Sequence, residues 1–366
     1  MNKKELELYI HIPFCVRKCS YCDFLSAPAT EQTREAYMAA LFAEIGGRAK
    51  DYSDRTVTSI FIGGGTPSLL SGEQIGQLMD RIREQFAMAQ DAEITMEVNP
   101  GTASAEKLRN FYTAGINRLS IGMQSAQAEE LKNLGRIHDF EGFCQVYREA
   151  VEAGFTNINV DIMSGLPGQT LASYRDTLEK VLHLEPMPQH ISAYSLIVEE
   201  GTPFAAMAER GELPLPEEET ERAMYEETIE VLAKYGFHRY EISNYARDGY
   251  ECRHNVGYWI RRDYLGFGIG AASLIDNVRF QNEKSLGAYL AHPLESREEE
   301  QTLTVQDRME ETMFLGLRLT RGVSCVDFAE QYGRTVEEVY GEVIARNVAD
   351  GLLTVTERKE NQKKDR

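Results

Sequence analysis

Positive charge is scarce in this sequence. Lys and Arg number 39 against 58 Asp and Glu, a formal net charge of −19, whereas a phosphate backbone is held by Lys and Arg. Nucleic acid is therefore excluded as a partner, and an anionic lipid surface is disfavoured on the same ground. No apolar run is long enough to cross a bilayer, so the chain is not expected to be an integral membrane protein. A secretory leader is not expected either, because Met1–Glu5 runs straight into a strand pattern. Cysteine is sparse: three of the six lie within eight residues, which does not make a disulfide framework. The expected compartment is a reducing cytoplasm.

What the sequence does have is Cys15, Cys19 and Cys22, spaced C-x3-C-x2-C. They follow Leu6–Ile12, where Leu6, Leu8, Ile10 and Ile12 alternate with Glu7, Tyr9 and His11 as in a half-buried strand. The thiols thus sit on a loop leaving a first strand. Three thiolates at this spacing can hold one metal ion or one cluster. Structural zinc takes four ligands, and no fourth cysteine is near, although His11 offers a Cys3His alternative. A 4Fe–4S cluster on the three cysteines keeps one iron open to another ligand. The cluster is the first reading and zinc the second.

The chain then alternates strand and helix patterns. Strands are expected near Val57–Ile62, Glu93–Val98, Ile116–Gly122, Asn157–Met163 and His190–Val198, with helices between them. Ser71–Gln74 has capping-box form. Two junctions repeat, Ala114–Ser120 and Ala153–Asn159, each a helix-ending Gly followed by a strand. Six βα units make an α/β fold two units short of a closed barrel. An open partial (β/α)6 barrel is predicted, with a doubly wound sheet as the alternative. In either fold chemistry gathers at the C-terminal strand ends. There lie the cysteine loop, Gly63–Thr66, Glu97, Gln124, Asp161 and Tyr194–Ser195. Each alone reads as a turn, a cap or a satisfied core group; six on one rim read as a site.

From His11–Ile12–Pro13–Phe14–Cys15 through Cys22–Asp23–Phe24 the sequence resembles the cluster loop of radical S-adenosylmethionine (SAM) proteins, in particular their coproporphyrinogen dehydrogenase-like branch. The resemblance covers about residues 6 to 320. It implies that the free iron is chelated by SAM and that an electron from the cluster cleaves SAM to a 5′-deoxyadenosyl radical. It places Gly64, Gly65 and Thr66 at the amino group of SAM and Glu97 at its polar portion. Gln124 and Asp161 match positions at the ribose hydroxyls, and Arg136 matches an arginine pairing with the methionine carboxylate. Tyr9 and Tyr21 match positions beside the cluster and cofactor, and Ser195 does so more loosely.

The organisation expected is a core over 4–205, an extension over 206–290 and a small, mainly helical C-terminal domain over 291–366. In the extension Cys252–Trp259 holds the single Trp, and the glycines of Tyr264–Ala271 suggest a loop against something flat. On its own this stretch reads as structural. His254–Asn255–x–x–Tyr258–Trp259, however, resembles the H-N-x-x-Y-W string of the branch's haem chaperones, which makes His254 a candidate haem ligand and Cys252 its alternative. Ser296–Glu300 reads as a charged linker, and the last element of the C-terminal domain is expected to be missing. The tail Glu357–Arg366 reads as disordered. Cys144 and Cys325 read as small buried apolar residues.

Two functions compete within the branch. One is haem carriage, with haem as cargo and an acceptor haemoprotein as partner. The other is radical SAM oxidative decarboxylation of coproporphyrinogen III. The decarboxylase pattern has a further cysteine where this chain has Phe24, and a longer segment before the first strand. Both departures, with the His254–Trp259 string, favour the carrier. A zinc-stabilised binding protein is the third class.

Overall fold

The computed structural model of the chain describes residues 3–295 and 297–356. Its first half runs β1 (Lys4–Ile12), α1 (Glu31–Arg48), β2 (Arg55–Gly64), α2 (Gly72–Gln85), β3 (Ala87–Val98), α3 (Ala105–Thr113), β4 (Arg118–Gln124), α4 (Ala128–Leu134), α5 (Phe140–Glu152), β5 (Ile158–Ser164), α6 (Leu171–Leu182) and β6 (His190–Ser195). The capping box at Ser71 and Gln74 opens α2 as expected. Gly115 and Gly154, which end α3 and α5, both take the left-handed backbone that closes a helix without a Cβ clash.

Strands β1 to β6 pair in parallel in chain order. A doubly wound sheet reverses its strand order at a switch point. No reversal occurs here, so the sheet is the open partial barrel. Alternation on the strands decides its two faces. Leu8, Ile10, Ile60, Met96, Ile121, Val160 and Ile191 are buried in the layer shared with the helices. The other face is polar: Glu97, Ser120, Asn159 and His190 are register partners across β3 to β6 and line the lumen.

The second half holds α7 (Pro203–Glu209), α8 (Glu218–Lys234), β7 (His238–Arg239), β8 (Asn244–Ala246), α9 (Arg253–Trp259), β9 (Tyr264–Phe267), β10 (Ala272–Ile275), β11 (Val278–Asn282), α10 (Leu286–Ala291), β12 (Arg297–Thr302), α11 (Val305–Gly316), α12 (Cys325–Tyr332) and α13 (Val336–Ala349). β8 joins the β6 edge antiparallel, and β9 joins the β1 edge parallel. The charged stretch read as a linker is corrected: Arg297–Thr302 is an edge strand paired to β11. Residues up to about Thr302 therefore continue the sheet, and the helical C-terminal part begins after them.

The glycine stretch after Trp259 is corrected too. Gly266 and Gly268 are needed by the protein's own packing, because a Cβ on them would strike the Ala272 carbonyl and the Tyr37 hydroxyl. These two glycines therefore serve close packing within the protein and not the approach of a ligand. Cys144 packs beside the core, whereas Cys325 is exposed. The tail Glu357–Arg366 lies outside the described residues. No helix among the described residues is long and apolar enough to cross a membrane.

Candidate cluster and cofactor site

The cysteine loop is pinned at both ends. The Cys15 N–H donates to the Ala27 carbonyl at 3.2 Å, and the Ala27 N–H donates to the Pro13 carbonyl at 3.0 Å. Further along, the Ser20 N–H donates to the Leu134 carbonyl at 3.0 Å, and the Phe204 N–H to the Ser20 carbonyl at 3.1 Å. The loop is thus fastened to α4 and α7 with its three thiols half-exposed. Burial pushes the Cys22 thiol up, the Phe24 N–H opposes this, and the nearby Cys19 and Cys15 add to the rise.

Donors face the sulfurs. Thr66 Oγ1 lies 3.5 Å from Cys15 Sγ, and Arg136 Nη1 lies 3.8 Å from Cys19 Sγ. Among the described residues no three His, Cys, Asp or Glu side chains are gathered as for a single metal ion. His11 does not complete a zinc site: its Nδ1 is 3.0 Å from Tyr9 Oη and its Nε2 is 2.9 Å from the Leu25 carbonyl. Three thiols with donors behind them, and no fourth ligand gathered beside them among the described residues, fit a cluster.

Around the loop stand most of the rim residues. Arg136 gives Nη2 to the Gly122 carbonyl at 2.8 Å, while its buried Nε has no partner. A narrow crevice touches Cys19, Thr66, Asn99 and Arg136. Tyr21 stands by Arg136, Cys19, Cys22 and Asp161, and burial holds its phenol well above the usual range. Tyr9 stacks on Phe61 with ring centres 6.5 Å apart, and burial with the Glu97 charge raises its phenol as well. Gln124, at φ +70°, accepts from the Tyr194 hydroxyl at 2.9 Å. Asp161 takes bonds from Asn159 at 2.6 Å and Ser120 at 3.3 Å, and burial raises its carboxyl. Glu97 is pushed up to about 8 by burial, then by the Asp161 charge, against the pull of the Gly64 N–H.

The glycine turn is packed tightly. The Gly64 N–H donates to Glu97 at 3.0 Å, the Gly65 N–H to the Ile12 carbonyl at 2.9 Å, and the Thr66 N–H to the Phe14 carbonyl at 2.7 Å. A Cβ on Gly64 would meet the His11 ring, and one on Gly65 would meet the Ile12 and Phe14 backbone. The glycines therefore serve the fold first. With its N–H groups spent, the turn can offer a ligand carbonyl oxygens, which suit an ammonium group.

Ser195 does not join this set. It is exposed, and its hydroxyl lies 3.1 Å from that of Ser164, its register partner on β5. Alternation puts both on the face opposite Tyr194, the residue of β6 that does enter the lumen.

His254 is also corrected. Helix α9 plugs the lower lumen, and His254 is 1% exposed. Its Nδ1 is 2.8 Å from Ser59 Oγ, its Nε2 is 3.0 Å from Tyr258 Oη, and its ring stacks on Phe61 at 5.3 Å. Both nitrogens are engaged and no face is open, so the ring is not placed to ligate haem. Burial, then Arg118 and Arg262, lowers it to about 3 and keeps it neutral. Cys252 fares no better as a ligand: burial pushes its thiol to about 12, and its Sγ lies 3.5 Å from Glu93. Glu93 also accepts from the Arg253 and His254 N–H groups at 3.1 and 3.2 Å, so a carboxylate from β3 caps the plug. Trp259 carries the Arg318 guanidinium over its ring at 4.2 Å, joining the plug to the segment after α11.

Several members of this lower network were not singled out in the sequence. Arg118 is fully buried, with Nη1 3.5 Å from Thr95. His190 bridges Asn159 at 2.6 Å and Tyr240 at 2.8 Å. The one sequence signal was position: a polar side chain at every second residue of a strand whose other residues are apolar.

Comparison with known proteins agrees with this geometry. A model of the radical SAM superfamily matches residues 9–181, and one of the HemN C-terminal domain matches residues 303–359. A protein of Bacillus subtilis (strain 168) named heme chaperone HemW is 40% identical over 94% of this chain and 92% of its own length. Its namesake in Escherichia coli (strain K12) is 37% identical over 95% and 92%. Among solved structures, coproporphyrinogen III oxidase (HemN) from Escherichia coli, described as a radical SAM enzyme, matches with a TM-score of 0.86 at 29% identity, covering 98% of this chain and 86% of that one. The chain belongs to the radical SAM superfamily, in the branch that holds the haem chaperone HemW and the coproporphyrinogen III oxidase HemN.

Proposed function

We propose that this chain is a haem chaperone of radical SAM type, which binds haem and passes it to an acceptor haemoprotein. The observation that carries the reading is the match to proteins named heme chaperone HemW over 92% of their length at 37–40% identity. Phe24, 61% exposed on the cluster loop, adds support, since the decarboxylase pattern has a cysteine there. A reducing cytoplasm, the setting for half-exposed free thiols, is part of this reading.

Superfamily membership implies a 4Fe–4S cluster and SAM; the cluster would supply a one-electron reductant and an iron position open to SAM. Cys15, Cys19 and Cys22 would hold the cluster. Arg136, with its unpartnered Nε, would pair with the SAM carboxylate. The carbonyls of Gly64 and Gly65 would take the ammonium group, with Thr66 holding the turn to Cys15. Glu97, Gln124 and Asp161 would meet the polar groups and ribose, and Tyr9 and Tyr21 would wall the site.

The second reading is coproporphyrinogen III oxidation, favoured by the 0.86 TM-score with HemN. Delivery is the distinguishing property. Haem-loaded protein should pass haem to a haem-free acceptor haemoprotein faster than it loses haem to a passive scavenger. Equal rates would leave haem release without delivery and would end the chaperone reading.

A further inference from the structure

The end of β4 carries a bulge. Gly122 stands opposite Asp161 of β5 and Gln124 stands opposite Ile162, so Met123 is the extra residue. The chain then makes a tight turn centred on Gln124. Gln124 has φ +70°, and the Ser125 N–H donates to the Met123 carbonyl at 3.0 Å, a bond spanning two residues. A three-residue turn of this hand is rare and strained, and it persists only where its surroundings hold it. Gln124 is buried there and accepts the Tyr194 hydroxyl on Oε1 at 2.9 Å. Its amide nitrogen is left to donate.

What holds the turn comes from the connection between α4 and α5. His138 Nε2 donates to the same Met123 carbonyl at 3.2 Å, the ring's one hydrogen bond among the described residues, since its Nδ1 has no partner. Burial, then the Arg136 charge, lowers the ring to about 4, so it is neutral near pH 7 and the nitrogen facing the carbonyl keeps its proton. Two residues earlier, Arg136 gives Nη2 to the Gly122 carbonyl at 2.8 Å. Arg136 and His138 thus take the carbonyls of the two residues that precede the turn. Gly122 permits this closeness: a Cβ there would come within 2.9 Å of Gln124 Nε2 and 3.1 Å of Arg136 Nη2. On its other side the connection is tied to the cluster loop, where Arg17 donates to the Gly135 and Arg136 carbonyls at 2.6 and 3.4 Å.

We propose that His138 is a positioning residue of the cofactor site, fixing the β4 bulge so that Gln124 presents its amide to the SAM ribose. The proposal rests on the cofactor site described under the proposed function. His138 acts through Gln124 and not by contact with SAM. One short connection then sets Arg136 for the carboxylate end of SAM and Gln124 for the ribose end. Arg17 fastens that connection to the loop that carries the three cysteines.

The test is SAM calorimetry on the anaerobically reconstituted full chain and on four variants: His138→Ala, His138→Gln, Gln124→Ala and the Gln124→Ala/His138→Ala double variant. Iron and sulfide are measured on each. His138→Ala should weaken SAM by about tenfold, the scale of one lost hydrogen bond, with cluster content at the parent value. His138→Gln, whose side-chain amide can donate to the Met123 carbonyl, should recover most of that loss. The double variant should bind SAM as Gln124→Ala does, because two residues acting through one contact are not additive. Unchanged SAM affinity in His138→Ala, or additive losses in the double variant, would overturn the proposal. Loss of the cluster from both His138 variants would make the residue part of the scaffold and would overturn it as well. If the parent binds SAM and only the His138 results fail, this inference falls alone. If the parent binds no SAM, the cofactor site and the inference fall together.

Discussion

Arg136 and Cys19 meet at the mouth of the barrel, a guanidinium nitrogen 3.8 Å from the sulfur. The same guanidinium holds the Gly122 carbonyl and keeps a buried Nε without a partner. One charge therefore faces both the proposed cluster and the proposed SAM carboxylate. Arg136→Ala should weaken SAM binding by roughly ten- to a hundredfold, the scale of a lost charged hydrogen bond. Calorimetry should record that loss alongside a smaller change in folding stability. Unchanged SAM affinity would remove Arg136 from the cofactor site.

The cluster loop makes its own prediction. Anaerobic reconstitution should yield about four iron and four sulfide per chain, and replacing Cys15, Cys19 or Cys22 with Ala should abolish both. Stoichiometric zinc without sulfide would instead restore the single-ion reading that the engaged nitrogens of His11 oppose.

His254 is predicted to matter for the fold. Its imidazole joins Ser59 to Tyr258 inside a packed lumen. His254→Ala removes both bonds and leaves a void, which should cost about 2–4 kcal/mol in urea unfolding. Haem stoichiometry should stay at the parent value. Loss of the haem spectrum with stability intact would return the ligand to His254.

Glu7 gives the fold a pH dependence. Burial, reinforced by Glu93 and opposed by Arg262, raises its carboxyl from 4.5 to about 8. The folded chain keeps a proton that the unfolded chain releases. The stability contributed is therefore full below about 4.5 and is lost as pH rises through about 8. Glu7→Gln, neutral throughout, should gain on the parent by roughly 2–4 kcal/mol between about pH 5 and pH 9 in thermal melts. Parallel curves for the two proteins would contradict the buried, proton-holding Glu7.

The six βα units were legible because each strand buries one face. Leu8 and Ile10, or Val160 and Ile162, can alternate with polar residues only if those residues line something else. The later strands were harder. All six residues of Arg297–Thr302 are exposed, and an edge strand with both faces in water needs no apolar alternation. Its charges therefore looked like a linker. The cysteine loop was legible from spacing, and Arg136 and Asp161 from their places in the family pattern. His254 was legible as a motif but not in its direction, because a seven-residue helix gives no periodicity to say that it turns into the lumen. Ser195 stands beside Tyr194 on β6 but faces the other way, and on a strand one residue is the whole difference between lumen and exterior.

Haem carriage and coproporphyrinogen III oxidation are separated by offering one reconstituted preparation both candidate ligands. Protein with cluster, SAM and reductant is titrated with haem by absorbance and is separately incubated with coproporphyrinogen III under anaerobic conditions. A haem chaperone should give a saturable haem spectrum at about one haem per chain, as one cargo site requires, with coproporphyrinogen III recovered unchanged. Decarboxylated product with no haem retained would contradict it.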